Sequence, residues 1–175
     1  MQIFFLNEDP QKCAQELCDK HCIKMPTETA QILSTVWKLS DPILYEQFYL
    51  NGWVYKPIKN YKHCSIRWVM QSRENYWFCV LLLIELCEEY TFRYKKIHYC
   101  SKFIRHFAFD MPEPSLPKRE FVPMGKEFQA IPIELKDDDP VVAYKAYYLR
   151  DKMRFAVWNK GREKPSWIIS VGKNC

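Results

Sequence analysis

From Ser65 to about Tyr94 the residues Ile66, Val69, Met70, Tyr76, Trp77, Val80, Leu83, Ile84 and Cys87 recur at helical spacing. A helix of that length has to run through the middle of the fold, and the rest of the chain has to cover it. Arg73 falls inside the same apolar stripe. A guanidinium placed there calls for a carboxylate or phosphate partner, because an unpaired buried charge is very costly.

The flanking sequence supplies more helices. Asp9-Pro10 and Asp139-Pro140 each join a good N-cap to a good first helical residue. They predict one helix running from Pro10 past Cys13, Leu17, Cys18 and His21, and another from 139 to about 157. Pro26 either kinks the first helix or starts a second that runs to about Leu39. Residues 43–64 read as short helix plus loop, 95–107 as a basic helix, 108–138 as an acidic proline-rich loop and 158–175 as a basic irregular tail. His63-Cys64-Ser65 reads as the start of the long helix, with Ser65 as its cap. The expectation is an all-α fold: a single domain over 1–175, with one long central helix, long irregular surface loops and a helical core over 1–94 that holds the candidate site.

Charge decides little in total and more by segment. The net charge is +5. Residues 1–91 carry 9 basic against 11 acidic side chains, 92–106 carry 5 against none, 107–140 carry 4 against 8, and 141–175 carry 8 against 2. Such clustering suits a polyanion, with a plain solvated face as the alternative. Eight cysteines lie largely within helical stretches and read as free thiols, which places the chain in a reducing compartment. No leader peptide is expected, since Met1–Leu6 is a short apolar run that meets Asn7-Glu8-Asp9 at once. No membrane span is expected either, because the longest apolar run, Phe78–Ile84, is far short of ~20 residues.

His21 and Glu28 are seven residues apart, two turns along one side of a helix, with Lys24 between them. Lys24 and Glu28 at i,i+4 have the spacing of an ordinary surface ion pair. The sharper alternative is a carboxylate and a histidine facing a cleft. A carboxylate can stabilise positive charge on an opening sugar and move protons, while an amine can form a Schiff base at C1′.

Asp19-Lys20-His21 followed by Glu28, together with Pro165-Ser166-Trp167 and Gly172-Lys173, resembles the endonuclease V type pyrimidine-dimer DNA glycosylases. The stretches Cys18-Asp19-Lys20-His21, Lys24, Glu28-Thr29-Ala30-Gln31 and Arg73-x-Asn75-Tyr76 are similar to small proteins of phages and large DNA viruses often grouped with them. The resemblance implies an all-helical domain that flips a base out of damaged duplex DNA, cuts the glycosidic bond and then the strand at the abasic site. Glu28 would be the catalytic carboxylate, with His21 and Arg73 shaping the pocket. DNA contacts would come from Arg73, Asn75, Lys160, Arg162, Lys164, Trp167 and Lys173.

This chain departs from the family pattern at three places. Gln2 stands where the family has the threonine whose α-amine attacks, so the amine belongs to Met1 or, as a fallback, to Lys24. An α-amine, titrating near ~7.7 to 8.0, needs less help than a lysine near ~10.4. Thr27 and Gln31 stand where the family has arginines beside the catalytic Glu.

No cofactor and no metal are expected. Cys18, His21, Cys22, His63 and Cys64 are zinc-type ligands, but their spacing lacks the paired Cys-x2-Cys of structural sites. Trp53, Tyr55, Tyr61, Trp158 and Trp167 interleave with lysines and arginines as base-stacking platforms do, while Trp68 and Trp77 read as core. Two readings stand beside the enzyme: a non-catalytic nucleic-acid or nucleotide binder of a phage or large DNA virus, and a basic protein associated with virus particles and other viral proteins.

Overall fold

The computed structural model describes residues 2–110, 116–117 and 120–169, and among these every regular element is helical, as the all-α expectation requires. α1 (Pro10–Glu16) opens where Asp9 accepts the Gln11 amide. It does not continue to His21. Leu17 and Cys18 are extended, and α2 (Asp19–Ser40) begins afresh. The cause lies far along the chain: the Tyr148 hydroxyl takes the Cys18 amide at 2.9 Å and the Val157 carbonyl takes the Asp19 amide at 2.9 Å. Pro26 sits inside α2 without ending it.

α3 (Pro42–Leu50) is capped by Asp41 and followed by the 51–63 loop. The long helix expected from Ser65 is two helices, α4 (Cys64–Val69) and α5 (Arg73–Tyr94). The break occurs because Ser72 Oγ accepts the Asn75 amide at 3.0 Å and so founds a new N-terminus. His63, not Ser65, caps α4: its Nδ1 accepts the Ser65 amide at 3.2 Å, and Ser65 itself is buried. The basic helix expected over 95–107 is also interrupted. Lys95 closes α5 in the left-handed region at φ 55°, and a 3-10 turn (Tyr99–Phe103) leads into α6 (Ile104–Phe109). α7 (Pro140–Asp151) ends earlier than expected, and α8 (Ser166–Ile169) forms within the tail that reads as irregular.

α2 and α5 lie against each other, with α1 and α4 beside α5, over one continuous apolar cluster. A polar thread crosses it: Trp37 Nε1 donates to the Tyr76 hydroxyl at 2.7 Å, which donates to the Phe107 carbonyl at 2.8 Å. Buried polar groups are satisfied in this way at little net cost. The described part of the proline-rich loop is anchored rather than merely draped. Trp68 Nε1 donates to the Val122 carbonyl and the Val122 amide to Asn75 Oδ1, both at 2.9 Å. Met124 and Phe128 enter the core from this loop. The cysteines from Cys13 to Cys100 are all free, and burial pushes the thiols of Cys13, Cys22 and Cys87 up to about 12. No helix among the described residues is long and apolar enough to cross a membrane.

Candidate active site

The site is built by returning the N-terminal segment to α2. Residues 3–6 are an apolar run outside any helix, all four buried, and neighbouring side chains pack against different parts of the core. Phe4 stacks on His21 at 4.5 Å and meets the Tyr148 ring edge-on at 5.5 Å. Phe5 stacks on Phe78 at 5.0 Å and meets Trp68 edge-on. Held from both sides, the segment delivers the Gln2 amide to Glu28 Oε2 at 3.0 Å. Glu28 is 7% exposed, and its other oxygen faces Lys24 Nζ at 2.8 Å. The i,i+4 ion pair therefore exists, and the carboxylate in it is nonetheless buried. Lys24 itself projects into water with 66% of its side chain exposed.

His21 is buried beside this carboxylate. Tyr148 accepts from the Cys18 amide, and its hydroxyl shares a hydrogen bond of 2.8 Å with His21 Nδ1. Burial lowers the His21 pKa to about 4, Lys152 adds to that, and the Glu28 charge opposes it. The ring is neutral at pH 7. His63 is a neighbour that sequence spacing does not reveal. Burial holds it below the ordinary histidine range while the Glu28 carboxylate acts the other way. The signal that could have exposed it is its position just before the apolar stripe of α4, which faces α2.

The buried arginine of α5 is Arg93, not Arg73. Arg73 occupies the first position of α5, half-buried, with its amide on the Pro117 carbonyl. Arg93, counted above among the cations of a polyanion face, is 5% exposed. Its guanidinium donates to Glu89 at 2.6 Å, to Asp19 at 3.0 Å, and to the Leu17 and Gln15 carbonyls at 2.8 and 2.9 Å. It thereby ends α1 and starts α2 with one fork of donors.

The tail completes the same network. Asp19 also accepts the Asn159 amide at 2.7 Å, and Arg162 grips Glu89 through Nη2 at 2.8 Å and Nε at 2.9 Å. Burial alone would raise the Glu89 carboxyl, but Arg162 and Arg93 outweigh it and hold it below the usual range. Arg162 is thus a structural ion-pair partner, against the expectation of a free phosphate contact. Trp167 donates to Glu16 at 2.8 Å and packs on Tyr148, and Trp158 is buried with its Nε1 on the Glu16 carbonyl. Neither is an open stacking platform. Asn75 is fully buried between Trp68 and Val122, so it cannot meet DNA. Lys160 and Lys164 remain exposed. Met1 and Lys173 lie outside the described residues. Among the described residues no group of three His, Cys, Asp or Glu side chains is arranged to hold a metal.

Residues 1–101, which include the N-terminal segment, α2 with Glu28, and α5, match the family profile described as pyrimidine dimer DNA glycosylase. The chain belongs to that family. Membership carries a pyrimidine-dimer DNA glycosylase type of function at the family level, with DNA as the partner. No curated protein and no solved structure matches the chain significantly. Within this family member, the matched region holds the Gln2–Glu28 contact and Arg93, while the residues that brace them from 148 to 167 lie beyond it.

Proposed function

We propose that this protein is a DNA repair N-glycosylase with abasic-site lyase activity, acting on pyrimidine-dimer type lesions in duplex DNA. The observation that carries the reading is the buried Glu28 carboxylate, bound at 3.0 Å to the amide of Gln2. That amide nitrogen is three covalent bonds from the α-amine of Met1, which this reading makes the nucleophile. Lys24 is the second candidate, but it stands in water, whereas a lysine nucleophile needs desolvation.

In the proposed sequence a flipped nucleotide presents C1′ to the neutral amine. The N–C1′ bond forms as the glycosidic bond breaks, and the base leaves with the electron pair and a proton. Ring opening gives an iminium at C1′. Glu28 stabilises the developing positive charge, then removes the C2′ proton, and the electrons expel the 3′ phosphate. His21 is a positioning residue here: neutral and stacked on Phe4, it fixes the segment that carries Gln2. Lys160 and Lys164 are the tail cations left free to meet phosphates.

The test is borohydride trapping on duplex DNA carrying a cyclobutane dimer or an abasic site. A covalent adduct of the wild-type chain is expected, and Glu28→Gln should slow strand cleavage by about 10² to 10⁴. No adduct with wild type would overturn the lyase reading. An adduct that Glu28→Gln forms and resolves at the wild-type rate would remove Glu28 from its role. Edman sequencing of the trapped adduct separates the two amines: a blocked first cycle identifies the α-amine, and a blank at cycle 24 identifies Lys24.

A further inference from the structure

A second feature lies where two basic segments meet α2 at Thr27 and Thr35. The loop over 51–63 carries Lys56, Lys59 and Lys62 with no carboxylate, and the segment over 95–109 carries Lys95, Lys96, Lys102 and Arg105 with none. The fold brings these two segments together. Tyr55 meets Tyr99 and Phe103 edge-on at 6.3 and 5.6 Å, and both segments are fastened to α2: the Ile58 amide donates to Thr35 Oγ1 at 3.0 Å and Cys100 Sγ to Thr27 Oγ1 at 3.9 Å. Between them opens a cleft of about 300 Å³ lined by Tyr49, Val54, Tyr55, Lys56, Tyr99 and Phe103.

Three properties of this cleft point to one occupant. Its rings are presented to solvent, with Tyr99 62% and Tyr49 43% exposed. Cations stand at the rings, Lys102 Nζ lying 4.2 Å from the centre of Tyr99 and Lys56 at the rim. Both converging segments lack negative charge. Exposed ring faces offer nothing to a duplex, whose base faces are already covered by their neighbours in the stack; only unpaired bases can use them. We infer that the cleft between Tyr55 and Tyr99 binds single-stranded nucleic acid, with a base stacked on Tyr99 and adjoining phosphates on Lys56 and Lys102. The site is separate from Glu28 and does not depend on the proposed chemistry there.

The experiment is fluorescence anisotropy with an undamaged, labelled 12-mer of thymidine and a duplex of equal length, on the full chain. No cleavage is read, so the result is independent of any glycosylase activity. Wild type is expected to bind the single strand, Tyr99→Ala to weaken it roughly 5- to 150-fold, and Tyr99→Phe to stay within twofold. Replacing Lys56 and Lys102 together by Ala should flatten the slope of log affinity against log salt by about 1.4. Failure of the wild-type chain to bind the 12-mer overturns the inference. So does a Tyr99→Ala chain that binds within twofold of wild type, or equal losses for Tyr99→Ala and Tyr99→Phe. Duplex binding that equals single-strand binding and ignores Tyr99 would mark a phosphate-only surface and refute the stacking site.

Discussion

Replacing Arg93 by leucine tests whether the junction between α1 and α2 is held by its guanidinium. Four hydrogen bonds disappear, two to carboxylates and two to the Gln15 and Leu17 carbonyls at the end of α1. Removing one partner of a buried ion pair costs about 3 to 5 kcal/mol, because the remaining charge stays desolvated. Asp19 keeps the Asn159 amide and Glu89 keeps Arg162, which moderates that cost. The Leu17 and Gln15 carbonyls, stripped of their donor, add to it by about 1 to 3 kcal/mol each where water cannot reach. The expected loss is about 4 kcal/mol. With a urea slope of about 2 kcal/mol/M for a chain of this size, the midpoint should fall by about 2 M. Arg93→Lys should recover little, since one ammonium cannot serve both carboxylates and both carbonyls. A midpoint shift below about 0.5 M for Arg93→Leu would refute the reasoning, and with it the claim that this residue is structural rather than a surface cation.

Three further outcomes follow from buried groups. His21 has a folded pKa of about 4 against an ordinary value near ~6.5, so the unfolded chain binds the extra proton and stability falls as pH drops through that window. The contribution is full above pH ~6.5 and amounts to about 3 kcal/mol; urea midpoints from pH 7 to 4 should fall less steeply for His21→Gln than for wild type, and equal slopes would contradict the assignment. Asn75→Ala leaves the buried Trp68 carbonyl and the half-buried Val122 amide without their side-chain partner and should cost about 1 to 3 kcal/mol, read by thermal melting, without weakening DNA binding in the folded protein. Among the described cysteines Cys64 alone is not buried, so it should react first with a thiol reagent in the native state, ahead of Cys13, Cys22 and Cys87; simultaneous labelling would show that the core opens readily.

What could be read from residue order was local chemistry. Asp9-Pro10 and Asp139-Pro140 start helices where they should, because a cap is decided within four residues. Glu28, His21 and Lys24 share a side of α2 because seven and four residues are nearly whole turns. The errors arose where a distant partner overrode a local pattern. The apolar period runs unbroken across Met70–Ser72, yet Ser72 caps Asn75 and the helix restarts. Arg73 falls on the apolar stripe, whereas Arg93, twenty residues on, lies on another side of α5 within a run of basic residues that reads as solvent-facing. Arg93 is inside because Asp19, 74 residues earlier, lies opposite it. The resemblance likewise implies DNA contacts for Arg162 and Trp167, but Glu89 and Glu16 engage them within the fold. The approach of Gln2 to Glu28 rests on Phe4 and Phe5 finding different walls of the core, which no spacing rule contains.

The bonds of the tail also set an order of events during synthesis. Trp167 reaches back 151 residues to Glu16, and Asn159 reaches back 140 to Asp19. On the ribosome, chains lengthen at about 5 to 20 residues per second. For several seconds after α5 has emerged, Asp19 and Glu89 have Arg93 between them but lack Asn159 and Arg162. The first hundred residues can collapse in that interval, yet they cannot settle until Asn159, Arg162 and Trp167 arrive. A chain cut short before residue 158 would keep two under-compensated carboxylates, Asp19 and Glu89, in its interior, so the junction between α1 and α2 is completed only when the segment over 158–167 has been made.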